Sequence, residues 1–219
     1  MLSYAQLMNA LRQGVLRFRY RTYSGYKELF EKLANTQKPT TLFITCADSR
    51  IDPNLLTDSV PGTLFVDRNA GNFIPEPRHV MDTSVSASEE ATIEFAIKYL
   101  KVEHIVICGH SDCGAMKALM SDAGSIEHLP AVGSWIENGR PALETVQKQK
   151  DWTALDATAQ LERLAKANVA LQVARVDKYL KGHKGKKPDV AGWYFDIGHG
   201  EVHELIRHGK KETWGPIEF

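Results

Sequence analysis

Two short stretches hold residue types that could do chemistry together: Cys46-Ala-Asp48-Ser-Arg50 and His110-Ser-Asp112-Cys113. Two thiols and an imidazole suit a zinc ion. Three protein ligands leave its fourth position open, as in catalytic rather than structural sites. The first stretch has a period of two, so a chain that stays extended places Cys46, Asp48 and Arg50 on one side. Cys46 is then the ligand, Arg50 forks onto Asp48, and Asp48 faces the open position, ionised and oriented by its guanidinium partner. In the second stretch His110 and Cys113 are three apart, like neighbours on a first helical turn, with Gly109 and Gly114 allowing close backbone approach. A helix predicted from Ala115 to Met120 would aim its positive end at the site and ease deprotonation of Cys113.

Each stretch follows an apolar, β-branched run, Thr40–Thr45 and Ile105–Gly109, so each sits where a buried strand ends. The carboxyl edge of a parallel sheet is where ligands bind, and adjacent strands bring both stretches to one point. Strands are predicted at Thr41–Cys46, Thr63–Val66, His104–Gly109 and Val190–Ile197, with a short edge strand, Glu201–Ile206, after the turn Gly198-His199-Gly200. Helical patterning covers Tyr4–Arg19, Tyr26–Ala34, a helix opened by the capping box Ser86-Ala-Ser-Glu89 with Ile93, Ile97 and Leu100 on its apolar face, Val132–Glu137, and Ala157–Leu180. Asp52-Pro53 and Pro61-Gly62 read as turns, residues 71–83 as an ordered loop, and Lys181–Lys187 as a solvated turn. This alternation predicts an α/β fold: a mostly parallel central sheet of about four parallel strands plus an antiparallel edge strand, flanked by helices. One domain spans 1–219, with residues 1–37 as an N-terminal helical arm.

A chain of 219 residues is long enough for a substantial core. Lysine plus arginine equals aspartate plus glutamate at 27 each, which argues against nucleic acid or an anionic membrane as partner. Three cysteines, an odd number in a chain without a signal peptide, fit reduced thiols and a cytoplasmic protein. No Cys-x-x-Cys supports a thioredoxin-like role, and Cys108, in mid-strand, reads as core. Residues 1–27 lack acids and carry Arg12, Arg17, Arg19 and Arg21, as an organellar transit peptide does. The spacing of Leu2, Leu7, Leu11, Val15 and Leu16 favours instead an amphipathic helix that packs on something. His199, His203 and His208 fit an exposed C-terminal hairpin better than a proton relay or accessory metal site, since no cysteine or paired carboxylate converges on them.

The Cys-x-Asp-x-Arg and His-x-x-Cys pair resembles the signature of the β-class carbonic anhydrases. The likeness continues through Pro61-Gly62, Arg68-Asn69-Ala70-Gly71-Asn72, Gly109-His110-Ser111 and Gly192-Trp193, covering roughly residues 30 to 200. The resemblance implies one Zn2+ per chain on Cys46, His110 and Cys113. It also implies reversible hydration of carbon dioxide to bicarbonate and a proton, by attack of zinc-bound hydroxide oriented by an Asp48–Arg50 dyad. By position, Phe65, Ala70 and Phe95 match the family's apolar substrate slot, where plant-type members carry tyrosine at the last place. Gln37 matches a glutamine that contacts substrate across a dimer interface, and a homodimer or tetramer with the first helix over a partner subunit is implied.

Zinc on two thiolates and one imidazole is a weaker Lewis acid than zinc on three histidines. The familiar bound water of pKa ~7 belongs to a carbonic anhydrase of that three-histidine kind and serves only as a reference point. An ionised Asp48 beside the less acidic water is then useful. The family also has a closed state in which the aspartate ligates zinc. In one subgroup bicarbonate stabilises that state through a tryptophan, an arginine and a tyrosine. Here the aligned residues are Phe43, Arg68 and Phe195, so an open site with Asp48 paired to Arg50 is predicted. Two rivals stand beside this reading: a same-scaffold enzyme hydrolysing carbon disulfide, and a non-enzymatic module that zinc stabilises.

Overall fold

Buried positions run without a break from Leu42 to Cys46 and from Ile105 to His110. Strands with no solvent face must be central, covered on both sides. They are β1 (Thr41–Cys46) and β3 (His104–His110), which pair in parallel. The computed structural model describes residues 3–76, 88–121, 123–209 and 211–217. Among these, β2 (Leu64–Asn69), β4 (Asp189–Asp196), β5 (Glu201–His208) and β6 (Lys211–Pro216) complete a six-stranded sheet in the order β2-β1-β3-β4-β5-β6. The first four strands are parallel, and β5 and β6 are added antiparallel.

The α/β expectation holds, with one correction: the segment predicted as the edge strand is β5, and β6 lies outside it. β6 contains Gly215 and Pro216 and alternates poorly, so its extended form comes from pairing with β5 rather than from its own pattern. β2 also runs three residues past the predicted Val66. Parallel pairing carries it on to Asn69, opposite Cys46.

The chain divides into two units, residues 1–37 and 38–219. In the first, α1 (Tyr4–Arg17) begins with a capping box of Ser3 and Gln6, passes through a wider π-type turn at Phe18–Thr22, and continues as α2 (Tyr23–Leu33). The predicted break between Arg19 and Tyr26 is absent. No proline intervenes, Gly25 alone is too weak a breaker, and the rings of Phe18, Tyr23 and Phe30 pack across the joint.

In the second unit, α3 (Pro53–Leu56) starts where Asp52 accepts a hydrogen bond from the Leu55 N–H, so Asp52-Pro53 opens a helix rather than only turning the chain. α4 (Ser88–Glu94) runs on as a π-type turn, Phe95–Leu100, with Ile93 and Ile97 buried as expected. Its predicted capping box begins at Ser86, outside the described residues. α5 (Gly114–Met120), α6 (Pro130–Ile136), α7 (Arg140–Gln147) and α8 (Ala157–Lys181) follow. α7 was not expected; its Pro141 stands in the first turn, where proline is tolerated.

Leu42, Ile44, Ile105 and Ile107 pack on Ile93, Ile97, Val169, Val173 and Val176, and the opposite face of the sheet buries Phe43, Ile51, Val106 and Cys108. A further cluster around Phe73, Met116, Leu119 and Leu164 includes Cys46 and Cys113. Among the described residues no helix is long and apolar enough to cross a membrane.

Candidate metal centre

β1 and β3 lie side by side and end at Cys46 and His110, so the register alone brings these two side chains to one edge. Beyond His110 the chain turns at Asp112, which takes a left-handed conformation (φ 58°), and Cys113 is extended at the cap of α5. The three-residue spacing is therefore a strand end, a turn and a helix cap, not the helical turn that spacing predicts. The ligand atoms of Cys46, His110 and Cys113 nonetheless lie within 4.8 Å of one another, and all three residues are buried. Of the two glycines expected to allow close approach, only Gly109 does so. A Cβ there would stand 2.7 Å from Val169 Cγ2, while one at Gly114 would meet nothing.

The first stretch also turns instead of staying extended. The Arg50 and Ile51 N–H groups donate to Asp48 Oδ1 (2.9 Å) and Asp48 O (3.3 Å), which folds the chain back on itself. Arg50 still forks onto Asp48, with Nε at 2.9 Å from Oδ1 and Nη2 at 2.8 Å from Oδ2. Its Nη1 reaches Asp112 Oδ2 at 3.0 Å and its Nη2 the Asp112 carbonyl at 3.1 Å, so one guanidinium ties the two motif loops together. Lys117 pairs with the same Asp112. Arg68 donates to the carbonyls of Cys46 (3.1 Å) and Asp48 (2.7 Å).

These contacts set the charges. The Arg50 fork holds the Asp48 carboxyl well below the usual carboxylate range. Cys113, donating to the Cys46 sulfur, pulls Cys46 down to about 4; the N–H groups of Gly71 and Asp48 help, against burial. Cys113 moves up, through its contact with Cys46 and through burial, although the Ala115 and Met116 N–H groups at the start of α5 pull the other way. The expected easing of Cys113 by its helix is thus real and outweighed. One thiol is favoured as thiolate and the other keeps its proton, and a divalent cation would take that proton's place.

The residues fit zinc on their own chemistry. His110 Nδ1 lies 2.9 Å from the Ser111 carbonyl, which can only accept, so the proton is on Nδ1 and Nε2 carries the lone pair. That Nε2 is buried with no hydrogen-bond partner among the described residues, and it stands 3.9 Å from Asp48 Oδ2. An orphaned acceptor grouped with two sulfurs and beside a carboxylate is what a bound cation would satisfy.

A family model described as carbonic anhydrase matches residues 41–202. A carbonic anhydrase of Synechococcus elongatus is 37% identical over 210 residues, covering 94% of this chain and 74% of its own length. One of Pseudomonas aeruginosa is 36% identical over 205 residues, covering 90% and 87%. The solved structure of the β-carbonic anhydrase CcaA superposes with a TM-score of 0.83 at 32% identity, over 97% of this chain and 92% of that one. The chain belongs to the β-class carbonic anhydrase family.

In this β-class carbonic anhydrase, Phe65, Ala70, Phe95 and Gln37 are the residues expected to contact substrate. The rings of Phe65 and Phe95 meet, centroids 5.9 Å apart, and Phe95 stacks on Tyr99 at 4.7 Å. Ala70 is exposed and its carbonyl accepts from Trp135 Nε1 at 2.8 Å. Gln37 is exposed in the segment after α2. His199 pairs with Asp196 at 2.9 Å and His203 lies 3.5 Å from Glu201, and neither joins a metal-binding group among the described residues. Two participants escaped sequence reasoning: Asp112, the second carboxylate on Arg50, and Gly71, whose N–H lies 3.3 Å from Cys46 Sγ. Asp112 sat in plain view between the two ligands. A backbone donor leaves no such signal.

Proposed function

We propose that zinc held by Cys46, His110 and Cys113 serves the hydration of carbon dioxide in this chain, and that Asp48, fixed by Arg50, orients the attacking oxygen. The reading rests on one observation above the others: His110 Nε2, buried and without a hydrogen-bond partner among the described residues, lies with two thiols in a group whose ligand atoms are within 4.8 Å of one another, and stands 3.9 Å from a carboxylate whose two oxygens are both engaged by Arg50. The bound metal would supply a Lewis acid that makes water nucleophilic near neutral pH.

The protein's own groups do the rest. Asp48 stays ionised across the working pH range and accepts a hydrogen bond from the nucleophile, turning a lone pair toward the substrate carbon. Arg50 prevents Asp48 from rotating and binds the Asp112 loop to the Cys46 loop. The Ser111 carbonyl fixes the His110 tautomer. Phe65 and Phe95 offer apolar surface to a small apolar substrate, and the product proton leaves to solvent or buffer.

The arm supports a homo-oligomer. Leu7, Leu11 and Val15 recur every four residues along α1 and are 51%, 67% and 67% exposed, a stripe suited to a second copy of the chain. Solved relatives from Sordaria macrospora are tetrameric β-carbonic anhydrases, at a TM-score of 0.73 and 26% identity over 94% of this chain and 98% of that one. The three free cysteines suit a reducing, cytoplasmic setting.

Stopped-flow hydration of carbon dioxide, with zinc counted per chain, tests the core of this. One zinc per chain is expected, with Asp48→Asn lowering kcat by roughly 10²–10⁴-fold while zinc stays bound. Protein without stoichiometric zinc, or full turnover in Cys46→Ser, would refute the reading.

A further inference from the structure

Helix α8 buries three polar side chains on one face: Asn168 (1% exposed), Gln172 (0%) and Arg175 (4%). Their spacing of four and three aligns them along the helix. Polar groups out of water are costly unless bonded, so where their bonds go is informative. Asn168 Nδ2 donates to the Gly71 carbonyl at 3.0 Å. Gln172 Nε2 donates to Asn168 Oδ1 at 2.8 Å, and its Oε1 accepts from the Ile74 N–H at 2.9 Å. Arg175 Nη1 donates to the Ile74 carbonyl (2.6 Å), the Asn138 carbonyl (2.7 Å) and Gln172 Oε1 (3.3 Å), and its Nε reaches Glu76 at 3.2 Å.

Four of these seven bonds end on one loop, residues 71–76. That loop also carries the Gly71 N–H, which points at Cys46 Sγ from 3.3 Å. The Asn69 side chain closes the loop from the other side, accepting from the Phe73 N–H at 2.8 Å and donating to the Phe73 carbonyl at 2.9 Å. Gly71 itself is left-handed (φ 87°), and a Cβ there would fall 2.6 Å from the Phe73 ring and 2.8 Å from Ala115 Cβ. The loop is thus closely packed, and α8 and Asn69 hold it from two sides with the Gly71 N–H on the sulfur.

We infer that Asn168 and Gln172 are positioning residues for the metal centre: through Gly71 they keep an N–H donor on the Cys46 thiolate. A hydrogen bond to a ligating sulfur withdraws electron density from it, which tunes both how firmly the metal is held and how strong a Lewis acid it remains. The inference rests on the zinc reading above, and its test separates the two.

Cobalt(II) substituted for zinc gives a thiolate-to-metal charge-transfer band that reports the sulfur directly, and chelator competition gives zinc affinity. Asn168→Asp keeps the acceptor for Gln172 but loses the donor to Gly71. It is expected to shift the cobalt band and weaken zinc binding by roughly 10–100-fold. Val173→Ala, on the same helix but packed in the apolar core, is expected to lower the melting temperature and leave band and affinity unchanged. Should Asn168→Asp fail to fold, Gln172→Glu removes the donor to Asn168 and is expected to move both readouts the same way by less. An unmoved band and affinity in these two variants, or an equal shift in Val173→Ala, would overturn the inference alone. A parent protein that binds neither zinc nor cobalt would overturn the zinc reading and this with it.

Discussion

Asp48 and Arg50 show how much a single pairing decides. A carboxylate gripped by a fork cannot turn away or take up a proton, and lysine cannot copy the fork. Arg50→Lys is therefore expected to keep one zinc per chain and lose roughly 10–100-fold in kcat/KM, measured by stopped flow with metal analysis. Asp67 is the opposite case. Its Oδ2 is buried with no partner among the described residues, and burial first, then nearby Glu89, push its pKa up to about 6. Between pH ~4 and ~6 the folded protein keeps this proton while the unfolded chain has released it, so stability falls as pH rises. Asp67→Asn should remove that fall and gain on the order of 2 kcal/mol at pH 7.5 relative to pH 4. Urea unfolding of both proteins at the two pH values checks it, and equal slopes would contradict it.

Among the elements, α8 does two jobs with two kinds of surface. Its apolar side sits close on the sheet because β3 and β4 offer glycines there. A Cβ at Gly192 would stand 2.9 Å from Val169 Cγ1, 3.0 Å from Val173 Cγ2 and 3.3 Å from Leu205 Cβ. Gly192→Ala is expected to cost about 1–3 kcal/mol by overpacking. Adding Val169→Ala should return part of that loss, and calorimetric melting of the single and double variants would show it. The polar side of α8 was not legible. Leu164, Val169, Val173 and Val176 announce an apolar face, but Asn168, Gln172 and Arg175 look like a solvated one until the loop they bind is in place.

For the whole molecule, the arm is the open account. The ring cluster of Phe18, Tyr23 and Phe30 stiffens it, while Leu11 and Val15 remain two-thirds exposed. Leu11→Asp with Val15→Asp is expected to shift the protein to a smaller assembly in sedimentation velocity. A parent that is already monomeric, or a variant of unchanged size, would count against the oligomer.

The candidate ligands Cys46, His110 and Cys113 could be picked out from the chain alone because Cys46 and His110 end apolar β-branched runs, and buried parallel strands end at one edge. How those residues are carried there could not. Asp112 turns left-handed, Arg50 folds back round Asp48, and β6 is a strand only because β5 is beside it. Local pattern sets which side chains face inward, since burial follows period and polarity. Hydrogen bonds between segments distant along the chain, such as Asn168 to Gly71 and Gly71 to Cys46, exist only once the chain has folded, so no local pattern announces them.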